Sequence, residues 1–157
     1  LALKAGLFSL TPEEFFVAGL LHDIGRIPLA EHYRGCQREF AAHPYDLDAL
    51  RALEGELFGC DHTHVGGMVA DHWKLPEIYR DLITRHHDLD GEPLGAVTAF
   101  IALADRCVNG YGIGRSAPFD TAGAVARLAP LAGVEPPMIE EIADDFRHEL
   151  EIFLTAI

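Results

Sequence analysis

Six side chains in this sequence have the types and positions to do chemistry: His22 and Asp23, His62, His86 and His87, and Asp105. Each interrupts an apolar helical pattern or stands at its end. The sharpest case is Phe15-Phe16-Val17-Ala18-Gly19-Leu20-Leu21-His22-Asp23-Ile24-Gly25-Arg26, an apolar run that stops at an adjacent imidazole and carboxylate. Burying that pair beside Leu20, Leu21 and Ile24 is costly unless each group has a partner. A divalent metal accepts both ligand types; a His–Asp hydrogen bond closing a helix end is the alternative. Four imidazoles and two carboxylates suffice for one or two borderline ions such as Fe, Mn, Co, Ni or Zn. Two ions sharing Asp23 would suit a site that activates water against a phosphoester. Taken singly, each group reads as a polar residue at a helix end. Six in this order and context read as one site, of the kind helical bundles build from facing helices.

Almost every long segment around these residues has helical period, and β-branched alternation is scarce, so the fold class is all α. Thr11-Pro12-Glu13-Glu14 is a helix start, with Thr11 as cap, Pro12 in the first turn and Glu14 closing a capping box. The helix runs from Pro12 to about Ile24. Its apolar surface is nearly continuous, which predicts the central buried helix. Residues 1–7 look like the tail of an earlier helix. Arg26 to Tyr45, punctuated by Pro28, Gly35 and Pro44, reads as a short helix or turn and then loop, with His32 and His43 at the surface.

Asp46 caps a helix from Leu47 to Phe58, with Leu47, Leu50, Leu53 and Leu57 on one face, and Gly59 ends it. Asp61 caps the next, His62 to Trp73, where Val65, Val69 and Trp73 should pack inward. Pro76-Glu77 opens a helix through Ile78, Leu82 and Ile83 to His86-His87. Residues 88–93 form a loop. A long apolar helix spans Leu94 to Val108, and closing helices span about Thr121–Ala132 and Pro137–Ala156. The last has Ile139, Ile142, Phe146, Leu150 and Phe153 facing inward. The Gly-rich turn Asn109-Gly110-Tyr111-Gly112-Ile113-Gly114 follows a helix and lacks Lys-Ser/Thr, so it serves chain reversal rather than phosphate binding.

The 157 residues suit one domain with a real core. No apolar run approaches the ~20 residues that span a bilayer. A net charge of −13 argues against nucleic acid and anionic lipid as partners. Three cysteines, Cys36, Cys60 and Cys107, have no CxxC spacing and read as reduced, cytoplasmic thiols rather than zinc ligands. The first residue is Leu rather than Met, which leaves room for a leader or a whole upstream segment.

The order His22-Asp23-Ile24-Gly25, His62-Thr63-His64-Val65-Gly66, His86-His87, Ala104-Asp105 resembles the HD superfamily of metal-dependent phosphohydrolases. The nearest branch is HDOD. That likeness comes from Ala18-Gly19-Leu20-Leu21-His22-Asp23-Ile24-Gly25, from Glu54 and Glu56 leading into Phe58-Gly59-Cys60-Asp61-His62, and from Trp73-Lys74-Leu75-Pro76 before His86-His87. It covers roughly Phe15 to Asn109. The resemblance implies a bacterial, all-α, HD-like helical bundle in signalling and regulation. It also implies His22, Asp23 and Asp105 for one metal and Asp23, His62, His86 and His87 for a second.

Two departures stand out. The superfamily's first His precedes the His-Asp pair on a helix, and residues 1–11 contain none. An HDOD domain also has an N-terminal helical half, so residues 1–157 read as a single domain corresponding to its C-terminal portion. The related HD-GYP branch hydrolyses cyclic di-GMP and carries His-Asp-Ile-Gly-Lys, His-His-Glu and Gly-Tyr-Pro. Here Arg26 replaces the Lys, Asp88 the Glu, and Glu92-Pro93-Leu94 stands in place of Gly-Tyr-Pro. Arg26 is either a bidentate phosphate ligand or a solvated charge at a helix end.

Three functions remain open from the sequence. The first is a metal-binding HDOD-like regulatory domain acting on signalling protein partners. The second is a metal-dependent phosphodiesterase for a nucleotide or cyclic dinucleotide, with Asp23 at its catalytic centre. The third is a helical domain whose histidines bind nothing.

Overall fold

The computed structural model describes residues 10–42, 47–89, 93–110 and 121–155. Among them all regular structure is helical: α1 (Pro12–Leu21), α2 (Arg26–Gly35), α3 (Gln37–Ala41), α4 (Leu47–Phe58), α5 (His62–Trp73), α6 (Glu77–Arg85), α7 (Ala96–Gly110), α8 (Ala122–Leu131) and α9 (Pro136–Thr155). The all-α class therefore holds. The caps are those the sequence dictates. Thr11 Oγ1 accepts from the Glu14 amide at 3.3 Å, and Glu14 Oε2 accepts from the Thr11 amide at 2.7 Å. Asp61 Oδ1 accepts from the His64 amide at 2.9 Å. Gly59, at φ 77°, ends α4 in the left-handed region that glycine enters without strain.

Two apolar cores share one helix. Phe15, Ala18, Ala70, Leu82, Ile83, Val97 and Ile101 join α1, α5, α6 and α7. Leu94, Ala99, Ala102, Leu103, Cys107, Leu128, Ala129, Ala132, Val134 and Ile139 join α7 to α8 and the start of α9. The central helix is therefore α7, not α1. In α1 only Phe15 and Ala18 are buried, while Phe16 is 73% and Leu20 69% exposed. An apolar run without polar punctuation carries no signal for how many neighbours it has. The helix α1 also stops at Leu21, and residues 22–25 form a turn.

Four further expectations are corrected. The stretch after Arg26 holds two helices rather than mostly loop; Pro28 falls in the first turn of α2, where its missing N–H costs nothing. In α5 the inward stripe is His62, Thr63, Gly66, Gly67 and Ala70, with Val65 and Val69 half-buried and Trp73 57% exposed. On α4, Leu57 is 39% exposed and Glu54 takes its place inside. On α9, Ile139 is buried but Ile142 is exposed, at 36%. The expectations for residues 1–7, His43, Pro44, Asp46, residues 90–92, the Gly-rich turn from Tyr111 on, and the side chains of Phe146, Leu150 and Phe153 lie outside the described residues.

The small stripe on α5 has a steric cause. A Cβ on Gly25 would overlap the His62 carbonyl oxygen, and one on Gly66 would come within 2.6 Å of Ile83 Cγ2. Absence of side chains at these points lets α5 lie against the α1–α2 turn on one side and α6 on the other. That contact carries Asp23 to His62.

Candidate metal centre

The turn after α1 supplies His22 and Asp23, the first residue of α5 supplies His62, the end of α6 supplies His86 and His87, and the last turns of α7 supply Asp105. The structure brings all six together. One ligand atom each from Asp23, His62, His86 and His87 lies within 4.8 Å of the others. Asp23 Oδ1 is 3.2 Å from His62 Nε2 and 3.8 Å from His86 Nε2. The His86 and His87 ring centroids are 4.2 Å apart, and His62 and His87 stand 5.1 Å apart edge to face. On the other side of Asp23, His22 Nε2 lies 3.5 Å from Asp23 Oδ2 and 3.7 Å from Asp105 Oδ1.

Ring orientations follow from the partners. His62 Nδ1 lies 2.6 Å from Glu54 Oε2. His86 Nδ1 faces the carbonyls of Leu82 and Ile83 at 3.0 and 3.1 Å, and His22 Nδ1 faces the Gly19 carbonyl at 2.7 Å. Carboxylate and carbonyl oxygens only accept, so in each ring Nδ1 donates and Nε2 turns toward Asp23. This is the outer-partner pattern of metal-binding histidines.

The cage passes a direct test of fit. Asp23 Oδ1, His62 Nε2, His86 Nε2 and both nitrogens of His87 are buried without a hydrogen-bond partner. Unpartnered buried polar atoms are costly, and a cation placed among these satisfies them together. Their protonation suits the task. Burial and then the nearby His22 charge lower the His86 pKa to about 4, and burial followed by His86 lowers His87 further. Both are thus neutral ligands near pH 7. Burial alone would raise the Asp23 pKa, but Arg26 and then the imidazoles outweigh it and hold it down. For His22, burial is outweighed by the Asp105 hydrogen bond and the Asp23 charge, so its pKa rises.

Glu54 is the residue that the sequence reading left without a role. It is 1% exposed. It accepts from the His62 amide at 2.8 Å, from His62 Nδ1 and from Tyr33 Oη at 2.7 Å. Its pKa is held low because the His62 contacts outweigh burial. Arg26 is not out in solvent: its Nε lies 2.9 Å from Asp23 Oδ2, with the side chain 27% exposed. His32, by contrast, is a surface residue, as expected.

An α-helical bundle whose helix ends deliver an imidazole–carboxylate cage to one buried point defines a class of helical proteins with a candidate metal centre. The HDOD family model matches residues 2–89, more than half of the chain, and the chain belongs to the HDOD domain family. Asp105 lies beyond the matched residues, so its place in the site rests on geometry. A curated relative from Treponema pallidum (strain Nichols), described as an uncharacterized protein, is 27% identical over 107 residues. That match takes in 60% of this chain and 20% of the relative, so the chain spans about a fifth of that protein's length. No solved structure matches.

Proposed function

We propose that this HDOD domain is a regulatory module that holds a divalent transition metal and acts through contacts with signalling proteins in a bacterial cytoplasm. The observation that carries the reading is the closed cage. His62 and His86 are each 1% exposed and His87 4%, and the one more open ligand, Asp23, at 31%, is paired with Arg26. Structural metal sites are closed, whereas hydrolytic sites keep a position open for water. Here His86 and His87 would serve as neutral ligands and Asp23 would supply the charge. A bound ion would lock the α1–α2 turn to α5 and α6.

The contact surface lies on the same elements. Phe16, Leu20 and Ile27 are each about 70% exposed on α1 and the start of α2, flanked by Val17 at 39%. Exposed apolar groups in such a cluster suit a protein partner. The charge of −13 disfavours nucleic acid, and among the described residues no helix is long and apolar enough to cross a membrane. Cys36, Cys60 and Cys107 are free thiols, in keeping with a reducing compartment.

A second reading keeps a specific observation behind it. His22 and Asp105 stand beside the cage with Asp23 between, and these three are part of the donor set that the HD resemblance implies for a phosphodiesterase acting on a nucleotide or cyclic dinucleotide, whose first His is not among residues 1–11. One experiment separates the two. Purified protein is analysed for metal beside Asp23→Ala, and both are assayed with cyclic di-GMP and simple nucleotides in the presence of Mn or Fe. The regulatory reading expects metal in the wild type, clearly less in Asp23→Ala, and no turnover. Robust turnover that vanishes in Asp23→Ala would make the chain an enzyme. Equal metal content in both proteins would remove the metal centre altogether.

A further inference from the structure

The two sides of Asp23 are not alike. On the cage side its Oδ1 and four imidazole nitrogens are buried and unpartnered. On the other side no atom of His22 or Asp105 is in that state; Arg26 Nε is, because its 2.9 Å contact with Asp23 Oδ2 is an ion pair and not an aligned hydrogen bond. Asp23 Oδ2 already has Arg26 Nε at 2.9 Å and His22 Nε2 at 3.5 Å. Asp105 Oδ1 already accepts from Asn109 Nδ2 at 2.8 Å and faces His22 Nε2 at 3.7 Å. A second ion bridging through Asp23 would need Oδ2, which the guanidinium holds. Arg26 is the first residue of α2, three residues after Asp23, so its reach to that oxygen is fixed by the helix start. Guanidinium is charged at every accessible pH and matches a carboxylate in shape.

We infer that Arg26 is a built-in stand-in for a second metal ion: it neutralises the outer oxygen of Asp23, so that the centre takes one ion, in the Asp23–His62–His86–His87 cage, and excludes another from the His22–Asp105 side. This rests on the metal reading above and adds the number of ions and the residue that sets it. The exclusion is electrostatic, since a dication and a guanidinium on one carboxylate repel, and both Asp23 and Arg26 are only partly exposed, at 31% and 27%. It also gives Arg26 a task other than phosphate binding, because its charge is committed to Asp23.

The test is metal stoichiometry, with no activity required. Metal-free wild type, Arg26→Gln and Arg26→Lys are loaded with Mn²⁺ or with Zn²⁺, desalted and analysed for metal per chain; the Mn²⁺ samples are also examined by electron paramagnetic resonance. Wild type should hold one ion and show an isolated Mn²⁺ signal. Arg26→Gln should hold a second, with the spectrum of an exchange-coupled pair. Arg26→Lys keeps the charge and should stay at one. Two ions in the wild type, or one in a folded Arg26→Gln, would overturn the inference while leaving the metal centre standing. No ion in the wild type would remove both. If Arg26→Gln does not fold, a wild-type titration still decides: a single plateau with rising Mn²⁺ supports the inference and a second plateau sinks it.

Discussion

At the scale of single residues, the orientation of His62 depends on Glu54. The carboxylate accepts from both the ring and the backbone of His62, so it fixes the tautomer and strengthens Nε2 as a donor of electrons. Glu54→Gln keeps the size and an accepting oxygen but removes the charge. It should weaken metal binding by ~10–100-fold, read by competition with a chromogenic chelator. The exposed His64 and His72 are controls, and replacing either should leave affinity unchanged. Unaltered affinity in Glu54→Gln would mean that Glu54 only fills space. That the six candidate residues lie together was legible in the sequence because each is a polar group set in an apolar pattern. Glu54 entered only as part of the HDOD likeness, with no role, since a carboxylate among Arg51, Ala52, Gly55 and Glu56 looks like an ordinary solvated helix face. The available signal was its place four residues beyond Leu50 and seven beyond Leu47, on the buried face beside Leu53.

At the scale of elements, the site depends on how closely α5 approaches the α1–α2 turn. Gly25 has ordinary φ of −66°, so its lack of a side chain matters for space alone. A Cβ there meets the backbone of His62 and Gly66, and backbone cannot swing aside as a side chain can. Gly25→Ala should destabilise the protein by ~3 kcal/mol or more and pull Asp23 from His62, with loss of bound metal. A Cβ on Gly66 meets the Cγ2 methyl of the buried Ile83 at 2.6 Å, with the Gly25 backbone no nearer than 3.5 Å, so Gly66→Ala should cost less on both counts than the overlap with backbone at Gly25. Thermal melts and metal content of the two variants check this; a Gly66→Ala variant harmed more than Gly25→Ala would refute the packing argument. The bounds of α4 and α5 could be read from caps and periodicity. The inward face of α5 could not, because a hydrophobic pattern points to Val65, Val69 and Trp73, whereas close helix packing selects the small residues beside them.

For the whole molecule, α7 divides the structure into a half that holds the site and a half that does not. A sequence pattern gives helices one at a time and not how many neighbours each has, which is why α1 was taken for the centre. The division has a dynamic consequence. Asp23, His62, His86 and His87 all belong to the α1, α5 and α6 side, over the core of Phe15, Ala18, Leu82 and Ile83. Helix α8 packs through Leu128 and Ala129 on the opposite core and carries no site residue. On that division α8 is expected to open from α7 without disturbing the cage, with its exchange set by its own contacts. A bound ion at a hundredfold excess over its dissociation constant adds ~3 kcal/mol to whatever opening releases it. Chelation should therefore speed amide hydrogen exchange by ~100-fold in the α1–α2 turn and the first turn of α5, and leave α8 unchanged. Exchange that quickens equally in α8 would show that the two halves open as one, and that the metal stabilises the bundle as a whole rather than the face on which Phe16, Leu20 and Ile27 stand.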